Sequence, residues 1–267
     1  MSGIVELDHV IYSLVPYKGY GVRAWSRKEA VYNAERAFKG WFSPYEQLTV
    51  RPGVELRAIA MGFKDYMYIA RVFLREGLDE LRRSGVVSHI ALVPLDIALE
   101  KRLSLEEVDK AMASYVASKG IGMNEIEPLR VSFSEKDRDE DLEYLKTVVD
   151  VDEAGQLLEY ISEPDIKVIP DIKIIVIFEG DTGSRARLAY ALAKMFAIHG
   201  VAEYIVTVEK PVDNILIEFA RAVIVLDKMI PGIKPMRNWR VVKIAEKRKG
   251  GSVKKDIDTT LKKLGYM

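Results

Sequence analysis

Between an apolar run and a helical pattern lies Glu179-Gly180-Asp181-Thr182-Gly183-Ser184-Arg185, the stretch of this 267-residue chain best supplied with phosphate-holding groups. Gly180 and Gly183 permit positive φ and close backbone approach, Thr182 and Ser184 offer hydroxyls, and Arg185 and Arg187 offer charge. A helix amino terminus adds unpaired amides, so the loop is a candidate anion cradle. It is neither G-x-x-x-x-G-K-[ST] nor G-x-G-x-x-G, so neither nucleotide fingerprint applies. An ordinary β–α turn accounts for the same residues, with Asp181 or Thr182 capping the helix and the arginines in solvent. A second candidate is His89, beside Ser88 in an apolar run, with Arg83, Tyr12 and Ser13 expected near it. An imidazole with a hydroxyl partner suits acid–base work, whereas a buried one satisfied by a hydroxyl or carbonyl is structural. His9 carries no functional reading, and His199 falls on the apolar face of its helix near the carboxyl end. Trp41, Phe42 and Tyr45, grouped around Ser43-Pro44, make an aromatic loop that suits an interface as well as a local mini-core, and Arg83 and His89 are added as interface candidates.

Composition removes whole classes of chemistry. No cysteine means no disulfide, no thiolate metal site and no cysteine nucleophile, and three histidines scarcely make a metal centre, so neither metal nor cofactor is expected. The 40 basic and 40 acidic residues sum to zero formal charge, which argues against bulk binding to nucleic acid. Locally the charge is uneven. Residues 135–153 hold nine acids against three bases, and Lys234–Lys255 hold nine bases against Glu246 alone, with Trp239 among them. A solvated face, or docking with an acidic segment or partner, is the reading favoured over nucleic acid for that basic stretch. No leader pattern and no apolar run near 18 residues are seen, so a soluble cytoplasmic protein without membrane attachment is expected. Four Asn and two Gln beside 30% charged residues suit a thermophile.

These groups need elements to position them. Ile4–Val15, Tyr20–Trp25, Arg57–Met61, Tyr66–Phe73 and Val86–Val93 read as strands, and Ser26-x-x-Glu29 and Ser104-x-x-Glu107 read as capping boxes that open helices. Leu142, Leu145 and Val149 give the acidic stretch a helical stripe with a solvated acidic face. From 171 onward strands and helices alternate: Ile172–Phe178, a helix carrying Leu188, Leu192 and Met195, Tyr204–Val208, a helix over Pro211–Arg221, Ala222–Leu226, Val241–Ile244 and a last helix after Ser252. The expected architecture is two domains: α+β over 1–130, an acidic helical connector over 131–167, and a three-layer α/β domain over 168–267 with a four-stranded parallel flavodoxin-like sheet.

Two resemblances follow. Val10-Ile-Tyr-Ser13, Gly19-Tyr-Gly-Val-Arg-Ala-Trp-Ser26, Tyr68-Ile-Ala-Arg71 and Arg83-Ser-Gly-Val-Val-Ser-His-Ile-Ala-Leu92 resemble the amino-terminal domain of GTPase-associated proteins over residues 5–95. That resemblance implies a regulatory module with a protein partner, a small Ras-like GTPase, and no catalytic residues. Residues 170–267, through Ser184-Arg-Ala-Arg-Leu-Ala-Tyr-Ala-Leu192 and Ala222-Val-Ile-Val-Leu-Asp227, resemble the low-molecular-weight protein tyrosine phosphatase fold. The family's nucleophilic cysteine stands six residues before its arginine, where this chain has Glu179, and Ala245–Gly251 lacks the family's Asp-Pro acid. A carboxylate at the loop mouth repels a phosphate dianion, so phosphatase chemistry is excluded. The function expected is non-catalytic regulation or interaction; the alternative is an enzyme or sensor that binds a phosphorylated small molecule at 179–187.

Overall fold

A computed structural model describes residues 2–15, 17, 19–30, 32, 55–63, 66–76, 85–99, 103–121, 124–134, 139–149, 156–158, 173–201, 204–208, 221–229 and 239–244. The elements are β1 (Ser2–Val15), β2 (Gly19–Trp25), β3 (Glu55–Phe63), β4 (Tyr66–Arg75), β5 (Gly85–Pro94), α1 (Leu95–Leu99), α2 (Leu105–Lys119), β6 (Asn124–Glu125) and β7 (Leu129–Ser134). There follow α3 (Glu140–Val148), β8 (Lys173–Phe178), α4 (Thr182–Ile198), β9 (Tyr204–Val208), β10 (Arg221–Leu226) and β11 (Trp239–Ile244). The strands join in one mixed sheet, in the order β11-β8-β10-β9-β3-β4-β5-β1-β2-β6, with β7 on the first half of β1.

The α/β alternation produces four parallel strands, β11, β8, β10 and β9, as its apolar runs require. Their order is not flavodoxin-like. That fold places its first strand between the second and third, whereas here the first, β8, lies between the third, β10, and the fourth, β11. The boundaries at 130 and 168 are not breaks in the sheet either. β9 pairs antiparallel with β3 from Arg57↔Val208 to Met61↔Tyr204, so hydrogen bonding runs from one half into the other.

Side-chain alternation explains why both halves share a core. Odd positions Ile59, Ile69, Ala91 and Val93 pack with Ile174, Val176, Val206, Val223 and Val225 on one face, beneath Leu188, Leu192 and Phe196 of α4. Val10, Tyr68, Ala70 and Ile90 pack with Ile175, Ile177, Ile205 and Ile224 on the other. α4 lies across β3 as well as β9 and β10, which makes it a helix of the whole sheet.

The stretch 131–167 is not a connector throughout. Val131–Ser134 belong to β7, which pairs with β1 from Ser2↔Ser134 to Leu7↔Leu129. Ser104 does cap its helix, accepting from Glu106 N–H at 3.2 Å, and Gly120 ends it at φ 73°. Ser26 is committed elsewhere: its hydroxyl donates to Asp8 at 2.9 Å and accepts from His9 N–H at 2.9 Å. His199 is not on the apolar face but is the exposed carboxyl cap of α4. The expected helix over 211–221 lies outside the described residues except for Arg221, which opens β10 instead, and the helix after 252 lies outside them altogether.

Candidate functional site

The loop sits at the carboxyl end of β8, where an open sheet presents ligands, and runs straight into α4. Its polar groups are turned on one another. The Asp181 carboxylate is the amino-terminal cap and accepts from Ser184 N–H at 2.8 Å. That backbone hydrogen bond, above all, holds the Asp181 carboxyl below the usual carboxylate range. Arg185 is buried and folds back, donating to the Gly180 carbonyl and, at 3.3 Å, to the Thr182 hydroxyl. Arg187 stacks on Tyr144 of α3, its guanidinium carbon 4.4 Å from the ring centroid, and donates to the Glu140 carbonyl at 3.5 Å. Tyr144 OH in turn donates to the Ser184 carbonyl at 3.4 Å. A carboxylate of the chain itself therefore occupies the amides that a bound anion needs.

The two glycines serve a different purpose from the one their type suggests, since neither has positive φ. A Cβ on Gly180 would lie 2.9 Å from Phe178 Cε1 and 3.2 Å from Ser184 Cβ, and one on Gly183 would lie 3.2 Å from Asp181 Oδ1. They allow β8 to enter α4 without a gap.

His89 has a partner that its sequence neighbourhood conceals. Register sets Ile11 opposite His89 and Tyr12 opposite Ser88, so the ring of His89 meets His9, two residues back on the same face of β1. His9 Nδ1 lies 2.8 Å from His89 Nε2, and His9 Nε2 lies 2.7 Å from the Glu127 carbonyl. A carbonyl only accepts, so His9 donates from Nε2, accepts at Nδ1, and His89 donates from Nε2. Both rings are fully buried and pack against Tyr115, with centroids 4.7 and 6.0 Å away. Burial pushes His9 down to about 4, against the Glu127 hydrogen bond and nearby Asp8. Burial pushes His89 well below its ordinary range, helped by His9 and by the Arg71 guanidinium. Neither ring has a free nitrogen reaching a surface, so the structural alternative fits His89, with an imidazole in place of the expected hydroxyl or carbonyl. Arg83, Trp41, Phe42 and Tyr45 lie outside the described residues.

Two further charged clusters escaped the sequence reading. Lys194, 1% exposed within α4, pairs with Asp139 at 2.9 Å and Asp141 at 3.6 Å and donates to the Leu103 carbonyl at 3.3 Å. Asp139 caps α3, and Asp141 accepts from Leu105 N–H at the start of α2 at 3.4 Å. Part of the supposedly solvated acidic face is thus interior, and burial raises the Asp141 carboxyl despite Lys194. Beneath α2, Arg57 bonds Asp109 at 2.7 Å and Glu55 at 2.9 Å, and Arg71 bonds Glu55 at 2.6 Å. Lys194 and Asp139 had one legible signal each: a lysine amid the apolar face of a helix, and an Asp immediately before a helical stripe.

Comparison with protein-family models, curated proteins and solved structures finds no match to this chain. Among the described residues no helix is long and apolar enough to cross a membrane, and no three metal-ligating side chains converge.

Proposed function

We propose that this is a cytoplasmic, non-catalytic regulatory or interaction protein that works with a small Ras-like GTPase. The observation that carries the non-catalytic part is the self-capped loop, where Asp181 takes the helix amide and Arg185 the loop carbonyl. A phosphate would have to displace that carboxylate from the amide that it accepts from. The partner class rests on the resemblance over residues 5–95, whose segments fall on β1, β2, β4 and β5 and form adjoining antiparallel strands. Affinity capture from native lysate, with the bound proteins identified and their nucleotide analysed, tests the partner; a recovered GTPase supports it, and capture of none removes it.

The competing reading, a phosphorylated small molecule held at 179–187, is favoured by one observation: the loop leaves β8 between two parallel neighbours. Titrating inorganic phosphate against melting temperature separates the two. No shift at millimolar phosphate is expected, and a saturable rise that Arg185→Gln abolishes would install the ligand reading instead.

A further inference from the structure

α2 and the segment that leads into β7 enclose an open polar groove of about 390 Å³. Lys110, Ser114, Tyr115 and Ser118 form one side, and Glu127 and Pro128 belong to the facing wall. The His9–His89 pair lies behind that wall. We propose that this pair is an acid-sensitive latch: at neutral pH it holds residues 124–128 against the sheet, and proton uptake releases that wall of the groove before the sheet itself opens.

Apart from the packing of Ile126 on the cluster of Ile11, Leu14, Ala24 and Val87, the wall has few other holds among the described residues. β6 is two residues long, is the last strand in the order, and pairs only through Ala24↔Asn124 and Trp25↔Glu125. Beyond these stand Ile126 N–H to the Trp25 carbonyl at 2.8 Å and His9 Nε2 to the Glu127 carbonyl at 2.7 Å. Proton counting shows why acid acts here. Two neutral imidazoles carry two N–H groups, one spent on Glu127 and one between the rings. A third proton has its place on His89 Nδ1, which faces the Met112 carbonyl without completing a hydrogen bond. It would put a buried cation beside Arg71. A fourth would set N–H against N–H across 2.8 Å.

The charged surroundings do not remove that cost. From β1, Asp8 favours a cation on His9; from β4, Arg71 opposes one on His89. On α2, Asp109 contacts Arg71 at 3.5 Å and is shared with Arg57 from β3, while Tyr115 packs on both rings as a neutral phenol. On the wall itself the Glu127 carboxylate points outward, near Lys119 at 3.9 Å. Once 124–128 lifts away, the imidazoles meet water and take protons at their ordinary affinity. Lower pH therefore favours the lifted form, by about tenfold per pH unit for each proton gained.

Amide exchange of the full chain between pH 7 and 4.5 tests this. The protection factor of Ile126 should fall about tenfold per pH unit below pH ~6 and at every pH lie well below those of Ile69 in β4 and Val223 in β10, whose exchange needs the sheet itself to open. His9→Gln, whose neutral amide can still donate to the Glu127 carbonyl, should flatten the Ile126 profile; His89→Gln serves if that variant does not fold. A flat wild-type profile, an Ile126 protection factor equal to those of Ile69 and Val223, or an unchanged slope in the variants would overturn the latch.

Discussion

At the residue scale, the buried Lys194, Asp139 and Asp141 are paired with one another, and removal of one partner has a calculable sign. Lys194 neutralises only one of two buried carboxylates, so Lys194→Met leaves Asp139 and Asp141 to face each other without the ammonium between them. A loss of about 3–5 kcal/mol is expected in denaturant unfolding. The double change Lys194→Met with Asp141→Asn should recover part of it, because it removes one of the stranded charges. The histidine pair works through pH. His9 has its folded pKa depressed from the ordinary 6.5 to about 4, so the unfolded chain binds the proton more readily. Stability is then full above about pH 6.5 and is lost as pH falls towards 4. The loss reaches about 3 kcal/mol for His9 alone, since each pH unit of separation is worth ~1.4 kcal/mol. Urea midpoints at pH 7 and 4.5 measure it, and a smaller difference in His9→Gln is the expected control.

At the scale of elements, the turn from β8 into α4 shows how far local residue types specify geometry. Asp181→Ala removes the cap and should cost about 1 kcal/mol. Gly180→Ala should cost about 1–3 kcal/mol, because its Cβ would press on Phe178 within β8 and on Ser184 within α4. Thermal unfolding of both variants checks the ranking, in which the glycine matters at least as much as the cap. Strands β8 and β9 were legible because a strand covered on both faces is a continuous apolar run, which no polar alternation disguises. β6 and β7 were not. Two residues carry no period, and Leu129–Ser134 alternates so mildly beside an acidic stretch that composition outweighed it.

At the scale of the molecule, the β3–β9 seam is the decisive feature. Five register pairs join what the chain order presents as separate halves, and the apolar clusters on both faces cross that seam. Unfolding followed at Trp25, on β2, and at Trp239, on β11, in single-tryptophan variants should therefore give coincident transitions. Separate midpoints would mean that the halves melt independently in spite of the shared strands. Ile59→Ala, at the centre of the seam and fully buried, should lower both midpoints together and cost about 2–5 kcal/mol.

Local patterns determined the strands of the parallel half, the cap at Ser104 and the exclusion of thiol chemistry, and narrowed the cap of α4 to Asp181 or Thr182, since each depends on neighbours within a few positions. The tertiary structure alone decided that Asp181 and Arg185 satisfy the loop from within, that His89 meets His9 80 residues away, and that Lys194 lies between two aspartates. It also decided the strand order and the joining of the two halves into one sheet. The physical reason is common to all of these. Strand pairing and burial bring together residues distant in the chain, and a buried polar group takes whichever partner that pairing delivers.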